Sequence, residues 1–239
     1  MGFNRHATTA TCLLALLSAC TTTPTGTPAT STSTVTHTTT VAPSPTTTQS
    51  RGHAALEGLP IQPADHTAPY RRDAFGQRWS DDVTVEFGHN GCDTRNDILR
   101  RDLRDVIVKP NTHDCVALSG TLDDPYTGAT IAFQRGQDTS PMIQIDHIVA
   151  LANAWATGAQ QWDDQTRRNF ANDPRNLLAV DGPTNISKSA GDATQWLPPN
   201  EAFICDFTHA QINIKRTYGL WVTQAEHDAL AHAIDTHCR

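Results

Sequence analysis

The stretch from Ile143 to Leu151 reads IQIDHIVAL. Its first half alternates apolar and polar residues, the period of a half-buried strand. From Ile148 onward it is continuously apolar. Asp146 and His147 sit at the seam. Both flanks demand burial, and burying a carboxylate is costly unless it is paired and hydrogen-bonded. A chain folded around this segment must therefore build a polar site in or beside its core.

The surrounding pattern predicts the elements that frame such a site. Residues 115–134, CVALSGTLDDPYTGATIAFQ, read as two strands around a turn at 123–128. After the strand ending at Ile145, residues 148–155 predict a helix and 165–171 a second short one. The turn signal Asn172-Asp173-Pro174-Arg175 precedes NLLAV (176–180), which fits a buried strand. Asp181-Gly182-Pro183 then turns the chain into a helix. Its wheel puts Ile186, Ala190, Ala193 and Leu197 on one face, and Asn185, Ser189, Asp192 and Trp196 on another.

Upstream, Thr94-Arg95-Asn96-Asp97 has the form of a capping box, with Leu99, Leu103 and Val106 following at helical spacing. Arg95, Arg101 and Arg104 fall away from that stripe, on a face that is either solvated or turned toward phosphate. Residues 55–92 carry Tyr70, Phe75, Trp79 and Phe87 without a period, which predicts a packed, irregular lead-in. An amphipathic helix over 203–218 comes next. A second capping box at Thr223-Gln224-Ala225-Glu226 opens a last helix with Leu230, Ala233 and Ile234 inward. The fold class is α+β.

The N-terminal fifth of the chain is different. Residues 21–50 hold 15 Thr, 4 Ser and 4 Pro, and no Asp, Glu, Lys or Arg. Such a segment cannot bury enough apolar surface to offset its ordering entropy. Residues 21–53 therefore read as a disordered tether, and 54–239 as the globular domain. Residues 1–20 contain CLLALLSA, an apolar run too short to span a bilayer. The run ends in Leu17-Ser18-Ala19-Cys20, which resembles the lipobox of bacterial lipoproteins. That resemblance implies acylation of Cys20 and a membrane anchor; the alternative is an ordinary signal peptide cut nearby. Either way the chain is expected to be exported.

Setting aside Cys12 and Cys20, four cysteines remain: Cys92, Cys115, Cys205 and Cys238. An even number in an exported chain suggests two disulfides. Of the three connectivities, Cys92–Cys115 with Cys205–Cys238 is favoured because each closes a local loop. A four-cysteine zinc site lacks any C-x-x-C pair. Of 18 Lys and Arg, only Arg5 and Arg51 precede residue 54, and no acidic residue does, so the globular part carries a net −9. Broad adhesion to nucleic acid usually leaves a basic footprint, which is missing here. A polyanionic substrate must be met by local positive charge or by a metal.

The order strand, Asp146-His147, inserted helices, a strand starting at Asn176, then a helix bearing Asn185 and Lys188 resembles the ββα-metal finger of HNH endonucleases. Asn176 and Asn185 stand nine residues apart, as in the HNH domains of CRISPR effector nucleases. The segments GCDTRNDILRRDL, SGTLDDPYTG, IDHIVALANAW, FANDPRNLLAVDG and WLPPN, between about Gly91 and Trp221, are similar to secreted HNH family proteins of actinobacteria. The same stretch resembles the nuclease domain at the C-terminus of GmrSD-type restriction proteins.

The resemblance implies an α+β fold with a ββα-metal core at about 141–197, extra helices and a β-hairpin. It implies a metal-dependent endonuclease acting on DNA, or on RNA, with little sequence specificity. His147 would be the general base, and Asp146 and Asn185 the ligands of Mg²⁺ or Mn²⁺. Asn176 would brace the loop that holds His147. Lys188, one turn after Asn185, would meet a phosphate or face solvent, and Arg95 and Arg101 would contribute phosphate contacts. The residue types suit the chemistry, because a neutral histidine can take a proton from water near neutral pH. Hard oxygen ligands favour Mg²⁺ or Mn²⁺ over Zn²⁺. A different class of function, a non-catalytic binding lipoprotein of the cell envelope on the same fold, is the alternative.

Overall fold

A computed structural model describes residues 47–239. Cys20, the lipobox-like segment and most of the Thr-rich tract lie outside the described residues. The first described element is α1 (Thr47–Leu56), so the tether boundary expected after residue 53 falls inside a helix. Leu56 joins a core with Leu59, Ile212, Val222, Leu230 and Ile234, and His53 Nε2 lies 2.8 Å from Asp235 Oδ1, 182 residues away. The partners that hold α1 are C-terminal, which local composition does not reveal.

A 3-10 turn at Arg72–Phe75 interrupts the irregular lead-in. Then come α2 (Thr94–Asp102), β1 (Leu103–Val108), β2 (Ala117–Asp123) and β3 (Thr130–Gln134). They are followed by β4 (Ile143–His147), α3 (Leu151–Ala156), α4 (Asp164–Asn172) and β5 (Leu177–Asp181). The chain ends with α5 (Gly182–Lys188), α6 (Glu201–Tyr218) and α7 (Gln224–His237). The strands form two antiparallel sheets, β1-β2-β3 and β4-β5, giving an α+β domain. In the second sheet Ile143 faces Asp181, Ile145 faces Ala179 and His147 faces Leu177. Among the described residues no helix is long and apolar enough to cross a membrane.

Helix α2 is the wedge between the sheets. Its buried Ile98 and Leu99 share one core with Leu122 and Phe133 of the first sheet and with Ile143, Ile145, Leu177 and Ala179 of the second. The helix begins one residue earlier than the capping box suggests. Asp93 is the N-cap and accepts from Asn96 N at 2.9 Å, while Thr94 donates its hydroxyl to the Ser80 carbonyl. It also ends earlier. Leu103 and Val106, expected on the helical stripe, lie in β1, where Leu103 pairs with Leu122. The helix gives way to the strand where Asp102 turns to accept from Ala179 N at 2.8 Å. Asp105 has a φ of +51°, at the register shift between Arg104 and Ile107; this β-bulge disrupts local alternation and helps to hide the strand in the sequence.

The helix after β5 is also shorter than its wheel implies. Asp181 caps it, accepting from Thr184 N at 2.8 Å, and it stops at Lys188 because Ser189 takes a φ of +53°. Ile186, which the wheel groups with Ala190, Ala193 and Leu197, is 69% exposed. Gly182 allows the close approach at the start of α5: a Cβ there would lie 2.2 Å from the Pro141 carbonyl oxygen.

Two disulfides join Cys92 to Cys115 and Cys205 to Cys238, closing loops of 23 and 33 residues. Loops of this length correspond to roughly 3–4 kcal/mol each on a chain-entropy basis. Behind the second sheet, Lys215 and Glu226 form a 2.9 Å ion pair with both side chains 1% exposed. Lys215 Nζ also donates to Asn153 Oδ1 at 2.8 Å, tying α3 to α6 and α7.

Candidate active site

Alternation along β4 sends Ile143 and Ile145 into the core beneath α2. Gln144 and Asp146 take the opposite side, toward α5, as the period of two requires. His147 closes the strand and lines a cleft of about 300 Å³ together with Asp146, Tyr70, Arg72 and Ser189.

The orientation of His147 is set by a helix end. Its Nε2 lies 2.9 Å from the carbonyl oxygen of Ala171, in the last turn of α4, where carbonyls lack an intrahelical partner. A carbonyl can only accept, so Nε2 carries the proton and Nδ1 is the basic nitrogen of the neutral ring. The indole of Trp79 stacks on the imidazole, with centroids 6.0 Å apart and 9° between the planes. Burial depresses the imidazole pKa from 6.5 to about 4; the charges of Arg72 and Lys188 act in the same direction, and the bond to Ala171 acts against them. The ring is therefore neutral at neutral pH.

The loop behind His147 hangs on Asn176. This fully buried side chain accepts from Val149 N at 2.9 Å and donates to Val149 O at 3.3 Å. Its backbone carbonyl accepts from Ile148 N at 2.8 Å. Asn176 touches neither the cleft nor Asp146; it positions the segment that follows the histidine.

Asp146 is buried and already engaged. Tyr126 donates its hydroxyl to Oδ2 at 2.5 Å. The Lys188 ammonium lies 3.1 Å from Oδ1 and 3.0 Å from Oδ2, and also donates to the His147 carbonyl at 2.8 Å. Burial raises the Asp146 pKa above its ordinary value, against the Lys188 charge and the Tyr126 hydrogen bond. Lys188, expected to face a phosphate or solvent, is instead a buried counter-ion, its side chain wholly inaccessible.

Asn185 donates its amide to Gln144 Oε1 at 2.9 Å, one strand repeat before Asp146, and does not line the cleft. The expected ligand pair therefore does not fit a divalent ion as arranged. Asp146 has a cation on both oxygens, and Asn185, its amide nitrogen bonded to Gln144, lies outside the cleft. A second group of candidate ligands, Cys205, His209 and Cys238, lies within 4.8 Å. Its two sulfurs form a disulfide and are unavailable as thiolate ligands. This group adjoins a different cleft of about 260 Å³, lined by Arg51, His209 and Arg216.

Two other expected site residues serve the scaffold. Arg101 donates to the carbonyls of Pro174 and Leu177, each at 2.6 Å, and pairs with Asp102. Arg95 donates to the Ile143 carbonyl at 3.0 Å and the Ser140 carbonyl at 3.4 Å. Both guanidiniums brace α2 against the β4-β5 sheet, where the expectation was contact with phosphate. The cationic residue that does line the cleft, Arg72, comes from the lead-in. No periodicity marked it; the nearest signal was the run of aromatics around it.

The profile of the C-terminal domain of GmrSD restriction endonucleases matches residues 93–233, from the N-cap of α2 to the middle of α7. An uncharacterized secreted protein of Arthroderma benhamiae is 35% identical over 189 residues, covering 78% of this chain and 85% of that protein. No solved structure matches. The matched segment contains β4, β5, α5 and every residue that holds His147 and Asp146 apart from Trp79, and the chain belongs to the family of GmrSD restriction endonuclease C-terminal domains.

Proposed function

We propose that this chain is a nuclease that hydrolyses phosphodiester bonds, with His147 as general base and DNA as its main substrate. The observation that carries the reading is the Nε2 bond to the Ala171 carbonyl. It leaves Nδ1 unprotonated in a neutral ring that lines a cleft. In the proposed reaction Nδ1 takes a proton from a water molecule as its oxygen forms a bond to phosphorus. The bond from phosphorus to the leaving oxygen breaks, and that oxygen takes up a proton from solvent. A positioned base of this kind contributes about 10²–10⁴-fold.

The β4-β5-α5 arrangement supports an HNH-type core by its element order. For the divalent ion that the family resemblance implies, the chain offers hard oxygen donors at Asp146 and Asn185. They are not assembled while Lys188 holds Asp146. With no element offered for reading base edges and a net negative domain, cleavage is expected to be largely independent of sequence. Two disulfides and a relative named as secreted support work outside the cytoplasm; for Cys20 as an anchor to a membrane the support is the lipobox-like Leu17-Ser18-Ala19-Cys20 alone. Replacing Cys20 by serine and following release into the medium tests that anchor.

One observation favours a second reading, a binding module without catalysis: both oxygens of Asp146 are occupied. A single experiment separates the two. The purified protein and His147→Ala are incubated with plasmid, linear duplex and RNA, in Mg²⁺, in Mn²⁺ and in excess chelator. Cleavage by wild type that is lost in His147→Ala supports the nuclease. Retention of DNA without cleavage in any of the three conditions supports the binding module.

A further inference from the structure

We propose that Arg72 is a substrate-binding residue, whose guanidinium holds a non-bridging oxygen of a nucleic-acid phosphodiester in the His147 cleft. The proposal rests on the nuclease reading for the identity of the ligand. It goes beyond that reading because Arg72 precedes the family-matched residues 93–233.

Three observations carry it. The first is place: Arg72 lines the same cleft as His147 and Asp146. The second is support. Arg72 opens the 3-10 turn that ends at Phe75, and Phe75 is fully buried against Trp155 and Phe170. The turn is thus pinned to the same core as α3, and Arg72 has a rigid base. The third is unmet demand. Nη1 of Arg72 is out of solvent and has no hydrogen-bond partner. The one carboxylate in the turn, Asp73, is taken by Arg71, whose Nη2 lies 2.9 Å and Nε 3.2 Å away.

A guanidinium with an N–H that lacks an acceptor is unfavourable, and Arg72 is only half-buried where it lines the cleft, so its fork can meet an anion that enters there. A guanidinium fork matches phosphate oxygens in geometry and charge. The domain carries a net −9, and the arginines of α2 are spent on carbonyls. Positive charge beside the base is what a polyanion needs to approach it. The same charge acts to keep a proton off His147.

The test measures binding by the whole chain in excess chelator, using fluorescence anisotropy of a labelled DNA duplex and a matched RNA duplex over a range of salt. Arg72→Met, Arg72→Lys and Arg71→Met are compared with wild type, after circular dichroism and thermal melting show that each is folded. Loss of about tenfold or more in affinity is expected for Arg72→Met. The slope of log affinity against log salt should also fall by about one, the signature of one lost phosphate contact. Arg72→Lys should recover part of the affinity, and Arg71→Met should behave as wild type. Wild-type affinity and slope in Arg72→Met would overturn the proposal, as would an equal loss in Arg71→Met. Inorganic phosphate is added as a competitor; displacement of the duplex at equimolar phosphate would also overturn it, assigning the site to a free anion. Plasmid cleavage is assayed in parallel, without chelator. Cleavage by wild type with unaltered binding in Arg72→Met removes only the Arg72 contact. Binding that depends on Arg72 without cleavage removes the nuclease reading and keeps the contact.

Discussion

The Lys188 ammonium stands between the two oxygens of Asp146, 3.1 and 3.0 Å away, with both side chains buried. Removing one partner of a buried pair leaves an uncompensated charge, a cost of about 3–5 kcal/mol. Lys188→Met is expected to lower unfolding free energy by that order in urea melts, and the double variant Asp146→Asn/Lys188→Met to recover part of it. The same single variant takes the cation off the carboxylate and leaves the Tyr126 hydrogen bond on Oδ2, so calorimetric titration should show tighter Mn²⁺ binding than wild type. Equal Mn²⁺ affinity in the two would show that Lys188 does not compete for Asp146.

His147 is held by one carbonyl and one stacked indole, and truncating it removes one hydrogen bond while leaving both partners in place. His147→Ala should therefore keep the wild-type circular dichroism spectrum, with stability lowered by no more than about 1–3 kcal/mol for the Ala171 carbonyl, while losing about 10²–10⁴-fold of the cleavage rate. Activity above about a tenth of wild type would assign the base to another group, since a positioned base is worth more than that.

Asn176 satisfies a buried backbone N–H and carbonyl at Val149. Asn176→Ala leaves both unpaired, at a cost of about 1–3 kcal/mol. The expected outcome is a destabilised protein whose residual activity falls mainly in kcat, because the histidine's supporting loop loosens while the cleft wall remains. An unchanged kcat in folded Asn176→Ala would remove the positioning role.

Arg101 binds two carbonyls of the segment that leads into β5. Arg101→Ala should read as lost stability, about 1–3 kcal/mol for buried acceptors left unpaired, with the salt slope of DNA binding unchanged. A slope reduced by about one would return Arg101 to the phosphate contacts.

Asp173 gives a pH-dependent test of the scaffold. Burial pushes its carboxyl up, but hydrogen bonds from Arg175 and Tyr218, both at 2.6 Å, outweigh burial and leave it below its ordinary value of 3.8. A carboxylate whose pKa is depressed on folding contributes stability above its unfolded pKa and loses it as pH falls through the folded value. The gap in melting temperature between wild type and Asp173→Asn should be widest at neutral pH and shrink below about pH 4. A gap that stays constant from pH 7 to pH 3 would mean that the charge of Asp173 contributes nothing.

What the sequence determined by itself was local. Two strand-like runs around a Pro- and Gly-containing turn specify the β2-β3 hairpin, and the switch from alternation to an apolar run marks Asp146-His147 as a forced polar site. Capping chemistry is likewise local, and Thr223 does accept from Glu226 N at the start of α7. The tertiary structure decided what happens to long side chains and to segments without a period. Leu103 and Val106 suit a helix by spacing, yet pairing with β2 makes them a strand. Lys188 could face water from a helix by sequence alone; Asp146, 42 residues earlier, draws it inside. Arg101 reaches carbonyls 73 and 76 residues away. Trp79 and Arg72 arrive at His147 from a lead-in with no pattern at all. Side-chain reach and charge pairing act through space, and only the folded chain states which distant groups are within a few ångströms.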